Sequence, residues 1–475
     1  MKILEQLLPQ LPNAQLVGAL AGPIERVHTD TRSLRAGDLF VALKGDSFDA
    51  NTFLTQAQAA GAVGAIAHQG LADAGLGGVE VPDTLEALGQ LAQRWRQQWS
   101  GPLIAVTGSN GKTTVTQMVA AILHAEVGDA ALATQGNFNN HIGVPLTLLR
   151  LRDTHRLAVV ELGMNHPGEI AYIAGLAQPT VALVNNAQRE HQEFMATIEA
   201  VAIENGQVIR ALSDGGVAVF PSDDAHTAVW RGLAGAREQL TFSDRDPAAE
   251  VQAGQADWID GAWSVDIRTP KGAFNCRLHI AGRHNVRNAL AATACALAAG
   301  VSLEKIAQGL TQFEPVGGRS RASEIMWASG PMTLVDDTYN ANPDSVIAAI
   351  DVLAELPGPR RLVLGDMGEV GDEGLAFHLE VLRHAQARGI DNVDVAGAWM
   401  AQAVAALQTE GAEAPRLWGD VDALAAQICA TAAEYRSVLV KGSRFMRMER
   451  VVNALQAASA RLAQQQPKKD ASHAA

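Results

Sequence analysis

The chain has 475 residues, of which 48% are hydrophobic and 19% charged, enough for about two to four domains with sizeable cores. A formal charge of −14 argues against a nucleic-acid or anionic-membrane surface, and no apolar run of about 18 residues reads as a membrane span. Cys276, Cys295 and Cys429 are widely spaced without a metal-ligand pattern and suit a reducing cytoplasm, and Met1 to Gln6 carries no apolar run, so no secretory leader is expected.

Residues 1–100 read as a small α/β domain. Gly37 to Gly45 contains an apolar strand, Phe53 to Ala60 suits a helix, Gly64 to Ala67 a short strand, and Thr84 to Trp99 a helix that ends at Ser100-Gly101-Pro102. Thr29, Asp30, Thr31 and Arg32 share one loop. Their hydroxyls, acceptor and cation suit a phosphorylated or uridine-bearing ligand, although by themselves these residues favour a capped turn with a surface arginine.

Residues 101–315 read as a P-loop ATPase-like domain with a parallel sheet. Leu103 to Val106 is a buried strand, a Gly-rich turn follows, and apolar residues recur at helical spacing from Thr113 to His124. Thr107, Gly108, Ser109, Asn110, Gly111, Lys112, Thr113 and Thr114 thus form a phosphate-cradling loop. Its backbone N–H groups face an anion, Lys112 reaches β- and γ-phosphates, and the Thr113 hydroxyl suits Mg²⁺. Val106 stands where the usual motif has its first glycine. Farther on, Thr134 to Pro145 is a polar loop in which Asn137, Asn139 and Asn140 offer amides to a polar ligand. Leu157 to Gly163 is a strand ending in Glu161, a further Mg²⁺ ligand in such a sheet. Thr180 to Asn186 is another strand, followed by Arg189, Glu190 and His191. Polar residues from Arg283, including His284, Asn285 and Asn288, open an Ala-rich helix. They suit an adenine edge or phosphate, or simple capping of the helix.

Residues 316–456 read as a Rossmann-like, doubly wound domain. Strand-like runs at Met332 to Asp337, Arg361 to Asp366, Asn392 to Gly397 and Ser437 to Gly442 alternate with helical patterns, one of them from Asp344 to Leu356. A polar tail over 457–475 is expected to be disordered. The fold class expected is therefore α/β in three domains.

Taken together, these pieces resemble the Mur ligase family of peptidoglycan synthesis, from Thr29 to Val452. The phosphate loop and Gly282-Arg283-His284-Asn285-Val286-Arg287-Asn288 are shared across that family and with folylpolyglutamate synthase. More specific strings are Gln135 to Leu148, Glu161 to Ile170, Asp336 to Pro343 and Val440 to Arg444. These point to the member that joins D-alanyl-D-alanine to UDP-N-acetylmuramoyl-tripeptide.

The resemblance implies ATP and Mg²⁺ as cofactors, amide formation through an acyl phosphate, a cytoplasmic monomer, and no nucleic-acid partner. It implies that Thr29 to Arg32 bind uridine diphosphate. It adds His191 to Thr113 and Glu161 at the metal site, and makes Lys112, His191 and Arg319 catalytic. Arg319 would reach the γ-phosphate, with Asp336 and Tyr339 on the ATP side and Asn340, Asn342, Lys441 and Arg444 toward the incoming dipeptide. Two departures stand out. Asn51 occupies a position usually held by histidine, and Asn205 falls where these ligases carry a carbamylated lysine for a second Mg²⁺, so that either Glu204 supplies the charge or that metal is held differently. The alternatives are a sibling ligase adding one amino acid, a folylpolyglutamate synthase, or a nucleotide-switch ATPase driven by a macromolecular partner.

Overall fold

The computed structural model describes residues 2–45, 48–190, 193–195, 197–327 and 329–465. Among these, the strands form three sheets in succession along the chain. The first comprises β1 (Gln15–Val17), β2 (Arg26–His28), β3 (Asp38–Val41), β4 (Gly64–Ala67) and β5 (Gly78–Glu80), in the order β1-β5-β4-β3-β2. Strands β2 to β5 pair in parallel and β1 closes the edge antiparallel to β5. Arg26 grips the buried Asp38 through two hydrogen bonds, tying β2 to β3.

The helix Thr84–Arg96 joins this unit to the next. Asp83 caps its start by accepting from the Leu85 and Glu86 N–H groups. Ala87, Leu88, Leu91 and Ala92 recur at helical spacing and are buried. At its end the Arg96 guanidinium donates to the carbonyls of Ala177, Gln178 and Trp99, and burial pushes its pKa down to about 10. A cation inside a core persists only with such partners.

The second sheet has nine strands: β6 (Leu103–Thr107), β7 (Ala131–Ala133), β8 (Leu157–Glu161), β9 (Val181–Val184), β10 (Val217–Pro221), β11 (Glu238–Ser243), β12 (Val251–Ile259), β13 (Ala262–Thr269) and β14 (Gly272–Leu278). Their order is β14-β13-β12-β11-β10-β9-β6-β8-β7. From β7 across to β12 every pairing is parallel, whereas β12, β13 and β14 run antiparallel. The sheet is thus mixed, where the sequence reading expected a parallel one. Polar Gln252, Gln255 and Asp257 alternating with small residues conceal a half-exposed ribbon.

Strand β6 is buried throughout and lies between β8 and β9, so whatever follows it sits beside the C-terminal ends of both. The helix it feeds, Lys112–Val127, buries Val115, Met118, Val119 and Ile122 against the helices His284–Ala298 and Leu303–Gln312. Gly309 permits the close approach: a Cβ there would lie 2.4 Å from the Ile122 Cα.

The third sheet orders β15 (Arg321–Trp327), β16 (Gly330–Asp337), β17 (Arg360–Gly365), β18 (Asn392–Ala396), β19 (Arg416–Trp418) and β20 (Ser437–Lys441) as β15-β16-β20-β17-β18-β19. All pairs are parallel except β15 with β16. Helices Pro343–Glu355, Gly374–Ala387 and Ala398–Thr409 cover one face, and Val421–Thr431 with Glu449–Gln465 the other, a doubly wound arrangement. Together the three sheets with their helices make the expected three-domain α/β fold. The tail expected over 457–475 is helical as far as Gln465, because Val451, Val452 and Leu455 anchor that helix in the core; residues 466–475 lie outside the described ones. Among the described residues no helix is long and apolar enough to cross a membrane.

Candidate active site

Between β6 and the helix at Lys112 the chain must turn sharply while aiming N–H groups outward. Gly108 (φ +130°) and Gly111 (φ +81°) take backbone conformations that side chains resist. Asparagine amides lock the turn from three directions. From the end of β9, Asn186 accepts from the Asn110 N–H at 2.9 Å, and Asn185 and Asn186 both donate to the Asn110 carbonyl, at 2.8 and 3.0 Å. From the helix Ile198–Asn205, the Asn205 oxygen accepts from the Thr107 hydroxyl at 2.6 Å and the Gly108 N–H at 3.1 Å. From the helix His284–Ala298, Asn288 accepts from Asn185 at 3.0 Å and donates to Asn285 at 2.8 Å. Asn185, Asn205, Asn285 and Asn288 are all buried. A carboxamide carries a donor and an acceptor, so it can pass a hydrogen bond onward without a charge to desolvate.

Lys112 lies back over its own loop, donating to the carbonyls of Gly108 (2.5 Å) and Ser109 (3.1 Å) and to the buried Glu190 carboxylate (3.2 Å). Glu190 also accepts from Asn205 at 3.4 Å.

A cavity of about 1130 Å³ opens above the loop. Ser109, Asn110, Gly111, Lys112, Thr113 and Thr114 form one wall; Asn137, Asn139, Asn140 and Glu161 form another. His284, Asn285 and Asn288 contribute from the central domain, and Arg319, Tyr339, Asn340, Asn342 and Lys441 from the third. Glu161, at the end of β8, accepts from the Asn139 amide at 2.7 Å, while Asn140 shapes the turn leading into the helix Gly143–Leu148 by accepting from the Ile142 and Gly143 N–H groups. His284 stands at the solvent edge, its ring 3.1 Å from the Asn285 amide. Among the described residues no group of three or more His, Cys, Asp and Glu could hold a metal unaided. Mg²⁺ usually takes only one or two protein oxygens and completes its shell with water and phosphate, so the Thr113 hydroxyl and Glu161 carboxylate on this one cavity fit it. His191, expected in the same set, lies outside the described residues.

The third domain comes directly onto the loop. Arg319 stacks over Tyr339, 3.9 Å from the ring centroid, and its Nη2 donates to the Thr113 hydroxyl at 3.1 Å. Asn342 donates to the Asn110 side chain at 3.0 Å while capping the helix Pro343–Glu355 in a reciprocal box with Ser345. Lys441 is committed inward, to Asp337 at 2.6 Å and the Asn340 carbonyl at 2.9 Å. Burial alone would raise the Asp337 carboxyl, but the Lys441 ammonium and the Ser320 N–H hold it below the usual carboxylate range.

Other expected residues do not line the cavity. The Asp336 carboxylate is used on the Gly318 N–H (2.8 Å) and the Thr338 hydroxyl (2.7 Å), where it shapes the turn carrying Arg319. Arg444 is exposed and pairs with Glu449 at 3.1 Å. Thr107 and Gly108 sit behind the loop rather than on its open face. Thr29, Asp30, Thr31 and Arg32 lie apart from the cavity. There Asp30 caps a single turn, Thr31–Ser33, and its side-chain bonds to the exposed Arg32 hold its pKa at about 2. Asn51 is engaged with Asp49 and His68. The roles of Asn185, Asn186 and Glu190 escaped the sequence reading. Their one signal was polar side chains clustered at the end of a buried strand beside β6.

Two measurements follow from this geometry. A Cβ at position 111 would lie 2.6 Å from Asn288 Oδ1 and 2.7 Å from Asn185 Nδ2. Gly111→Ala, strained also by its positive φ, should therefore weaken ATP binding about five- to thirtyfold, a loss of about 1–2 kcal/mol; unchanged affinity in calorimetric titration would contradict the clamp. The depressed Asp337 carboxyl stabilises the fold fully above its unfolded pKa near ~4, and that contribution is lost as pH falls through the folded value. Between about pH 6 and about pH 3, urea midpoints should fall less steeply for Asp337→Asn than for wild type; parallel slopes would contradict the pairing.

The whole chain can be set beside known proteins. The family model described as "Mur ligase family, catalytic domain" matches residues 23–96, "Mur ligase middle domain" residues 106–296, and "Mur ligase, glutamate ligase domain" residues 323–444. A curated protein of Escherichia coli (strain K12), named UDP-N-acetylmuramoyl-tripeptide--D-alanyl-D-alanine ligase, is 41% identical over 94% of this chain and 97% of its own. A crystal structure of MurF from Acinetobacter baumannii superposes with a TM-score of 0.83 at 36% identity, covering 91% of this chain and 94% of that one. MurF ligase from Thermotoga maritima in complex with ADP gives 0.79 at 25% identity, covering 92% and 98%. With the phosphate loop, the three sheets and these matches in agreement, the chain belongs to the Mur ligase family.

Proposed function

We infer that this chain is an ATP-dependent ligase that adds D-alanyl-D-alanine to UDP-N-acetylmuramoyl-tripeptide through an acyl phosphate. That step belongs to peptidoglycan precursor synthesis, and so to cell-wall formation, cell shape and division. The observation that carries the reading is the meeting of two cations at one phosphate loop: Lys112 at its base and Arg319, from another domain, 3.1 Å from the Thr113 hydroxyl. The relatives named above support the choice of substrates.

In this reading the terminal carboxylate of the tripeptide attacks the γ-phosphorus of ATP, and ADP leaves. The amine of D-alanyl-D-alanine then attacks the acyl carbon, and phosphate departs from a tetrahedral intermediate. Bringing a carboxylate to a triphosphate joins two anions, so the cost is mainly electrostatic. Lys112 exchanges the Gly108 and Ser109 carbonyls for β- and γ-phosphate oxygens, and Arg319 offsets charge on the transferring group. Bound by Thr113 and Glu161, with His191 as a further ligand, Mg²⁺ would screen the phosphate oxygens.

Asn137, Asn139, Asn140 and Asn340 offer amides to the peptide portions, and Tyr339 and His284 flank the nucleotide. Asn285, Asn288, Asn342 and Lys441 hold those surfaces in place. Thr29 to Arg32 take the uridine diphosphate end, with Arg32 releasing Asp30 for the diphosphate. Water must be kept from the acyl phosphate, which the third domain, seated on the loop, can do. The chain acts as a cytoplasmic monomer in this account; its three cysteines are free.

Phosphate release with UDP-N-acetylmuramoyl-tripeptide tests the reading. It should require D-alanyl-D-alanine and not respond to single amino acids; release with one amino acid would favour a sibling ligase, and release without small substrates a nucleotide switch. Lys112→Ala should lower kcat by at least ~10²-fold, the scale of one lost transition-state contact, while the protein stays folded. A folded variant with near-normal kcat would remove Lys112 from the chemistry.

Asn205 cannot be carbamylated, and its amide is engaged with Thr107, Gly108 and Glu190. The rate should therefore show no dependence on added bicarbonate. Activity that falls on bicarbonate removal and returns on its addition would contradict this assignment.

A further inference from the structure

The contact between the central and third domains includes a charge cluster that none of the steps above uses. Arg189 follows β9 on the loop that carries Glu190. Its guanidinium binds Asp344 with Nη2 at 2.7 Å and Nε at 3.2 Å, and its backbone N–H donates to the same carboxylate at 2.8 Å. The same side chain binds Glu380 with Nη1 at 2.6 Å and Nη2 at 3.1 Å, and lies 5.4 Å from the centroid of the Phe377 ring. One guanidinium is thus forked between two carboxylates of the third domain, on two different helices, Pro343–Glu355 and Gly374–Ala387. Arg189 is mostly shielded, its side chain 21% exposed, and paired charges at such a site hold geometry better than open surface pairs do.

The position of the cluster gives it meaning. Asp344 lies in the first turn of the helix whose cap, Asn342, touches Asn110 of the phosphate loop. Glu190, next to Arg189, holds Lys112. The cluster therefore ties the segment that restrains Lys112 to the turn that seats the third domain, and with it Arg319, on the loop. Of the cluster only Asp344 lines the cavity, and its two carboxylate oxygens are taken by the Arg189 guanidinium and backbone N–H, so recruitment of a ligand does not explain it.

We propose that Arg189 is a positioning residue for phosphoryl transfer: it latches the third domain onto the phosphate loop through Asp344 and Glu380 and so keeps Arg319 at Thr113. This rests on the ligase reading above. Arg189→Met, which keeps the aliphatic stem over Phe377, should lower kcat about ten- to one-hundred-fold, the range for losing charge-assisted hydrogen bonds, with little change in the KM for ATP. Small-angle scattering of the full chain with a non-hydrolysable ATP analogue should give a larger radius of gyration than wild type. Asp344→Asn combined with Glu380→Gln should reproduce both effects from the other side, and the exchanged pair Arg189→Glu with Asp344→Arg should recover part of each.

A folded Arg189→Met protein with kcat within twofold of wild type, or one with lowered kcat but an unchanged radius and no recovery in the exchanged pair, would overturn the latch. A wild-type chain inactive on the named substrates would instead overturn the ligase reading; the scattering comparison needs no turnover and still decides the latch.

Discussion

Everything in this protein that handles phosphate depends on one constraint, a short loop held rigid while the N–H groups at the start of the helix Lys112–Val127, which has no side-chain cap, stay open to an anion. A loop that fastened itself through its own backbone would have none left for an anion. Here Asn185, Asn186 and Asn205 fasten it from outside, through the Thr107 hydroxyl, the Gly108 and Asn110 N–H groups and the Asn110 carbonyl, and Asn288 braces Asn185 from behind. Neutral amides suit this work. A buried carboxylate in the same place would need its own counter-ion and would repel the ligand's charge. The carboxylate that meets the loop's lysine, Glu190, is balanced by Lys112 and by the Asn205 amide.

The second dependency is between domains. Arg319 does nothing for the loop unless the third domain is seated, and Asn342 and Arg189 bind that domain's helix Pro343–Glu355 to the central one. Asp337 and Lys441 act one layer farther back. By pairing inside the third domain they fix Ser320 and the Asn340 carbonyl, which flank Arg319 and Tyr339. Ionic groups that looked like ligand contacts thus serve as the frame that aims others, an expensive arrangement unless every donor is matched.

How much of this was readable from the chain varies with the physics involved. The strand, glycine turn and helix at Leu103 to Val127 were legible because steric and periodic signals are local. So was the doubly wound third domain, whose central strands β17 and β20 carry short apolar runs, although its edge strands β15 and β19 were not. The ribbon β12 to β14 was not, since strands with one wet face and small residues between carry little periodic contrast. The site was half legible. Lys112, Thr113 and Glu161 were placed from motif and sheet edge, and Arg319 from resemblance. Asp336 and Lys441 were assigned outward roles because a sequence names the charge and not its partner. The amide clamp was hidden for the same reason: an asparagine pairs equally well with water, backbone or another amide, and only the fold brings β9 and two helices to one loop.

The central claim is that this site transfers phosphate to a carboxylate and not to water. Labelling the terminal carboxylate of UDP-N-acetylmuramoyl-tripeptide with ¹⁸O and analysing the released phosphate by mass spectrometry tests it directly. An acyl phosphate leaves one carboxylate oxygen on phosphorus when the amine displaces it, so the account predicts singly labelled phosphate in step with amide formed. Unlabelled phosphate released at the full rate would mean that water is the acceptor, and would contradict the account.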